Sequence, residues 1–277
     1  MSIMIPSKTF LLGEYLALKG GPALIALTNP SFSIDPNKTL HPDCMAAKFW
    51  TKLTKTPCRW GLNDPYQGKG GLGASSAEFL LAYQQLYGNF KNLQHLHQCY
   101  LECASPNATQ KPSGYDVLAQ TSNACAVVET NPISVTSLPW IFSDIGFFLI
   151  HTGKKLKTHE HLQKGLEISH WQQMAKATEQ AILGLESNQA DLFVQAILSF
   201  AQCLSRSGFV ASHSQILIEQ FQSEPILAVK GCGALGADVI FIVYEKQYKA
   251  YLKEKYLAKG LDILATEADL FFENAKK

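Results

Sequence analysis

The segment GGLGASSAEF, residues 70 to 79, constrains this chain more than any other. Gly68, Gly70, Gly71 and Gly73 fall within six residues of one another. Glycine lets the main chain take positive φ and approach a bulky group closely, but ordering it costs more backbone entropy than ordering any other residue. Beyond the glycines, Phe79, Leu80, Ala82, Tyr83, Leu86 and Tyr87 recur at three- and four-residue spacing, which predicts a helix stopped by Gly88. Small residues running into a helix start offer free amides and a positive dipole end, the arrangement that holds a phosphate. A plainer reading stays open, because Ser75 followed by Glu78 also matches a capping box. Capping explains the serine and the glutamate but not the glycines. The loop is not a Walker A motif, since no lysine follows Gly73 among Ala74, Ser75 and Ser76, and its spacing does not fit a dinucleotide fingerprint.

What such a loop could hold is narrowed by composition. The 277 residues are 47% hydrophobic and 17% charged, with a net charge of +1. That suits a compact chain with room for two modest domains. No basic excess points to nucleic acid and no polybasic tract points to an anionic membrane, so a small-molecule ligand is expected. The seven cysteines are odd in number and scattered, and the N-terminus MSIMIPSKTF lacks a charged leader before a long apolar run. Reduced thiols and a cytoplasmic location are expected. Apolar runs such as VIFIVY (239 to 244) are too short to span a bilayer.

Along the chain, Thr9 to Leu12 and Tyr15 to Leu18 read as short strands, followed by a turn at Gly20 and Gly21 and an apolar strand over 23 to 27. A helix is expected over Leu93 to Cys103, a loop over 105 to 114, then a helical turn and a strand within 115 to 129. The segment NPISVTSLPW (131 to 140) reads as the break between two domains, 1–140 and 141–277. Beyond it lie a strand at 145 to 152, helices over His161 to Leu185 and Asp191 to Leu204, and two strands around a glycine turn in 226 to 244. His95, Cys99 and Cys103 share a helix face without a partnering pair elsewhere, which favours packing over zinc.

GGLGASSA resembles the nucleotide loop of the GHMP kinases, in particular the mevalonate and phosphomevalonate kinase branch. Three further segments resemble motifs of that superfamily in the expected order: PSKTFLLGEYLALKGGPAL (6 to 24), PSGYD (112 to 116) and KGCGALGADVIFIV (230 to 243). The resemblance implies a two-domain α/β (α+β) fold, with an N-terminal ribosomal-protein-like domain and a C-terminal ferredoxin-like domain. It also implies an ATP-dependent kinase using Mg²⁺ and acting on mevalonate or phosphomevalonate. The alternatives are a sugar or homoserine kinase of the same fold, or a relative that binds without turnover.

Carried over residue by residue, the resemblance gives Gly70, Gly71, Leu72, Gly73, Ala74, Ser75 and Ser76 to the nucleotide. Asp116 would orient and deprotonate the acceptor hydroxyl, where its plainer reading is a cap after a glycine. Lys8 would stand beside it and offset the charge of the moving phosphoryl group. Ser75 would touch Mg²⁺, with Ser76 the neighbouring alternative. Glu102 would be a second metal ligand or else an ordinary helix-end carboxylate. Glu14, Ser113, Gly114, Thr158, Gly233 and Ala234 would face substrate, and the basic cluster Lys154, Lys155 and Lys157 would aid capture of an anion. Asp238 resembles an aspartate of the phosphomevalonate kinases. ATP and a small molecule are the implied partners, with a monomer or homodimer as the assembly. The sequence departs from the pattern at the missing proline before the loop, at Ala74 in place of a serine, and at Leu235 and Ala237 in place of glycines.

Overall fold

The computed structural model describes residues 3–104, 112–153 and 170–273. Strand β1 (Met4–Leu12) is buried from Ile5 onward, so it reads as a continuous apolar run rather than an alternating one. The chain does not continue into a second strand at Tyr15 to Leu18, as the sequence reading has it. Leu16–Lys19 forms one 3-10 turn closed by Gly20 at φ 79°. The cause is the tight reversal at Gly13, where φ is 93° and an added Cβ would lie 2.5 Å from the Pro22 carbonyl oxygen. Such a bend leaves Leu16 and Ala17 pointing inward from a turn.

Strand β2 (Ala23–Asp35) follows, then α1 (Met45–Thr54), β3 (Gly61–Asn63), α2 (Ala74–Tyr87), α3 (Leu93–Cys103), the short α4 (Tyr115–Ala119), β4 (Cys125–Thr130) and β5 (Ile133–Leu138). The strands form one antiparallel sheet in the order β1-β2-β4-β5, with β3 added against β2. Because side chains alternate along a strand, β2 feeds two cores. Leu24 and Ala26 join the large cluster with α2, while Ala23, Ile25 and Leu27 join Tyr115, Leu118 and Ala119 of α4. The segment read as a domain break is mostly β5, paired in register with β4 from Thr130–Ile133 to Cys125–Leu138. Its polar residues belong to a half-solvated edge strand, which composition alone does not distinguish from a linker.

The rest of the chain contributes β6 (Ile145–His151), α5 (Trp171–Glu186), α6 (Ala190–Arg206), α7 (Ser212–Phe221), β7 (Ala228–Cys232), β8 (Val239–Glu245), α8 (Lys249–Ala258) and β9 (Asp262–Thr266). The expected helix from His161 begins outside the described residues, and its described part is α5. The second sheet runs β7-β8-β6-β9 with every neighbour antiparallel, the strand order of a ferredoxin-like layer. Phe147, Leu149, Phe241 and Val243 face α5 and α6, whereas Phe148, Ile150, Ile240 and Ile242 face α7 and α8. After β9 the chain returns to the first sheet: the Phe271 N–H donates to the Leu27 carbonyl (2.8 Å) and the Ala124 N–H to the Phe271 carbonyl (2.7 Å). No helix among the described residues is long and apolar enough to cross a membrane.

Candidate active site

The helix that follows the glycines starts at Ala74, one residue before the expected cap. Gly73 is its N-cap in the left-handed region at φ 84°, and no side chain caps the first turn. The capping-box reading of Ser75 and Glu78 therefore fails. Ser75 lies inside the helix, and Glu78 sits against Cys44, where burial pushes its carboxyl above the usual carboxylate range. The amides at the start of this 14-residue helix are left facing a cleft.

Close approach explains two of the glycines. A Cβ on Gly71 (φ 80°) would stand 2.7 Å from Cβ of Asp238, and one on Gly73 would stand 2.8 Å from Cγ of Lys8. The loop is thus pressed between β1 and the turn before β8. Three hydrogen bonds fix it there. The Lys8 N–H donates to the Leu72 carbonyl (3.0 Å), and the buried Gln120 amide donates to the Pro6 carbonyl (2.7 Å) and more weakly to that of Gly73 (3.3 Å). Ser76 is buried, with its hydroxyl engaged by the Gly73 carbonyl (2.9 Å) and by Gln120 Oε1. Ser75 is exposed at the cleft, so of the two serines it has the hydroxyl available to a ligand.

The cleft has a volume of about 380 Å³ and brings together all four motifs. Lys8 Nζ lies 3.0 Å from Asp116 Oδ1, with side-chain exposures of 10% and 35%. Asp116 is delivered by the first turn of α4, whose N-cap Gly114 has φ 75°. A Cβ at Gly114 would overlap the His97 ring, and His97 Nε2 donates to the Ser113 carbonyl (2.9 Å). Tyr115, fully buried beside Asp116, anchors the turn through its hydroxyl to the Gly21 carbonyl (2.8 Å). Ser113 and Asp116 line the cleft while Gly114 shapes their turn.

Glu14, Gly233 and Ala234 line the same cleft. Gly233 has φ 82° and ψ −168°, a combination essentially restricted to glycine. Leu235 takes φ 55° and so keeps a left-handed conformation without being a glycine, while Ala237 at φ −86° needs none. Glu14 is joined to Lys230 of β7 by a 2.8 Å ion pair, with side-chain exposures of 5% and 1%. Burial pushes the Glu14 carboxyl up even with Lys230 beside it. For Lys230 burial works the other way, but Cys232 and Glu14 outweigh it and the ammonium sits above its usual value. Glu14 Oε2 has no hydrogen-bond partner among the described residues.

One expected residue is not brought in. Glu102 lies on the outer side of α3, exposed, accepting from Gln98 Nε2 (2.9 Å) and 3.7 Å from Lys52. The reason is helical geometry: α3 turns Tyr100 into the cleft, and a residue two positions further on faces away. Thr158 and the cluster Lys154, Lys155 and Lys157 lie outside the described residues. Tyr15, Lys69 and Tyr100 line the cleft without having been anticipated, and Asp238, which resembles an aspartate of the phosphomevalonate kinases, joins them. Tyr15 was legible as the neighbour of Glu14, and Lys69 as the residue before the glycines. Tyr100 had only the helical spacing of a packing residue. Burial, with Asp116 adding to it, holds the Tyr100 phenol well above its ordinary value, so it stays a neutral hydroxyl.

The chain matches no family model and no curated protein. Solved structures are similar to it. Methanococcus jannaschii mevalonate kinase shares 13% identity over 96% of this chain and 97% of that one, with a TM-score of 0.72. Streptococcus pneumoniae phosphomevalonate kinase in complex with phosphomevalonate and AMPPNP gives 14% identity, 96% and 99% coverage, and 0.75. Lactococcus lactis galactokinase complexed with galactose gives 11%, 95% and 92%, and 0.65. At these identities the likeness is one of fold, and the chain has the mixed α/β fold of the GHMP kinases.

Proposed function

We propose that the chain is an ATP-dependent kinase that phosphorylates a small metabolite, with mevalonate or phosphomevalonate as the leading acceptors. One observation carries the reading: the Lys8–Asp116 ion pair stands in the same cleft as the uncapped helix start and the left-handed glycines. The fold supports it, since the kinases it resembles include one solved with AMPPNP. That order of acceptors rests on the segments PSGYD (112 to 116) and Gly236, Ala237 and Asp238, which resemble motifs of the mevalonate and phosphomevalonate kinases.

ATP fits the loop, because the positions that admit no Cβ are those where main chain turns toward the cleft. The amides of Ala74, Ser75 and Ser76 would hold phosphate oxygens. Mg²⁺ fits as an ion carried largely by those phosphates: no group of three or more His, Cys, Asp or Glu among the described residues could hold a metal, and Ser75 offers an exposed hydroxyl. Bound there, the ion supplies charge neutralisation to the phosphates. Asp116 Oδ2 would accept the proton of the acceptor hydroxyl while Oδ1 remains against Lys8, and Lys8 would offset charge on the transferring group. Ser113 and Glu14 would orient the acceptor.

The test is ADP release by the purified protein with ATP and, in turn, mevalonate, phosphomevalonate, homoserine and galactose. Asp116→Asn should lower kcat about 10²- to 10⁴-fold while ATP binding is kept. Unchanged turnover in that variant rejects the mechanism. ATP binding with no turnover of any acceptor supports a binding protein instead.

A further inference from the structure

Among the described residues, the cations lining the cleft are Lys8 and Lys69. Lys8 is accounted for by Asp116. Lys69 immediately precedes the glycine run, and its Nζ lies 2.5 Å from Asp262 Oδ2. Asp262 is the first residue of β9, the edge strand of the second sheet. The pair therefore reaches from the loop that would hold phosphate to the opposite layer, alongside the cleft.

The main chain under Lys69 is fixed. The Asp64 carboxylate accepts from the Tyr66 N–H (2.8 Å) and the Gly68 N–H (2.7 Å), and the Lys69 N–H donates to the Tyr66 carbonyl (3.2 Å). The side chain is not fixed in the same way. Lys69 and Asp262 have side-chain exposures of 36% and 46%, so their pair is a solvated one of small net worth. A polyphosphate in the cleft offers an ammonium several negative charges where Asp262 offers one.

We infer that Lys69 is a ligand of the nucleotide's phosphates and that Asp262 competes for it, so that phosphate binding transfers the ammonium from the aspartate to the ligand. The inference rests on the kinase reading above. It makes Asp262 an antagonist of nucleotide binding rather than a part of the site.

The competition has a signature that simple structural damage lacks, because the two single variants move in opposite directions. Binding of ATP and of inorganic tripolyphosphate is measured calorimetrically at low salt, with thermal unfolding as a folding control. Lys69→Gln should weaken both ligands about tenfold, as for loss of one charge-assisted hydrogen bond. Lys69→Arg should restore most of the affinity. Asp262→Asn should tighten both ligands by about threefold, and that gain should vanish in the Lys69→Gln background. Unchanged affinity in Lys69→Gln, or weaker binding in Asp262→Asn, overturns the inference and leaves the kinase reading standing. Failure of the wild type to bind ATP overturns both.

Discussion

Replacing Lys230 by methionine separates the structural from the functional part of the Glu14 site. Lys230 and Glu14 are both almost wholly buried and 2.8 Å apart, and they tie β7 to the turn after β1. Taking away the ammonium leaves a buried carboxylate without its ion-pair partner. Breaking a buried pair in this way costs about 3–5 kcal/mol, whereas replacing both partners by apolar residues of similar size is often neutral. Chemical denaturation at neutral pH should therefore show Lys230→Met strongly destabilised and Glu14→Leu/Lys230→Met close to wild type. The single variant also has a pH signature. Burial already raises the Glu14 carboxyl above its ordinary 4.5, and losing Lys230 raises it further. A raised carboxyl contributes stability that is fully present below the unfolded value and lost as pH rises through the folded one, so the deficit of Lys230→Met should shrink on going from pH 8 to pH 5. If Glu14 also orients the acceptor, the folded double variant should still show a raised acceptor KM. A single variant within about 1 kcal/mol of wild type would refute the argument that burial makes this pair indispensable, and so would a double variant as unstable as the single one.

Two further outcomes are expected. Leu235 holds φ 55°, which costs a branched side chain about 1–2 kcal/mol, so Leu235→Gly should melt at or above the wild-type temperature while Leu235→Ala melts below it. Glu267 is half-buried, which alone would raise its carboxyl, but Lys249 (2.5 Å) and the Phe147 N–H (3.1 Å) hold it below the ordinary range. Its contribution is present above the ordinary value of 4.5 and lost as pH falls through the folded one, so Glu267→Gln should flatten the loss of stability below pH 4.5 in an acid titration followed by circular dichroism.

What the sequence made legible was local in origin. Positive φ and the absence of a Cβ are properties of the residue itself, so Gly71 and Gly73 announced a tight loop before any contact was known. Helical spacing set α3 at Leu93–Cys103 as expected, and Gly88 ended α2. The meeting of Lys8 with Asp116 came from the family resemblance, because nothing in either residue type specifies the other. Pairs such as Lys69–Asp262 and Glu14–Lys230 join residues of different layers, and only the packing of one sheet against the other selects them. Glu102 failed for a geometric reason, since the face of a helix residue depends on how the whole helix is rotated. β5 was hidden because an edge strand and a linker have the same polar composition.

Lys8 holds the Leu72 carbonyl with its amide and Asp116 with its side chain, and Gly73 packs against the methylenes in between. In the proposed kinase, donor grip and acceptor chemistry would thus hang on a single residue. A mutation that displaces this strand should disturb both at once, so altered acceptor preference in homologues of this fold is expected to arise around Ser113, where a side chain can change without moving the strand or breaking the Glu14–Lys230 pair.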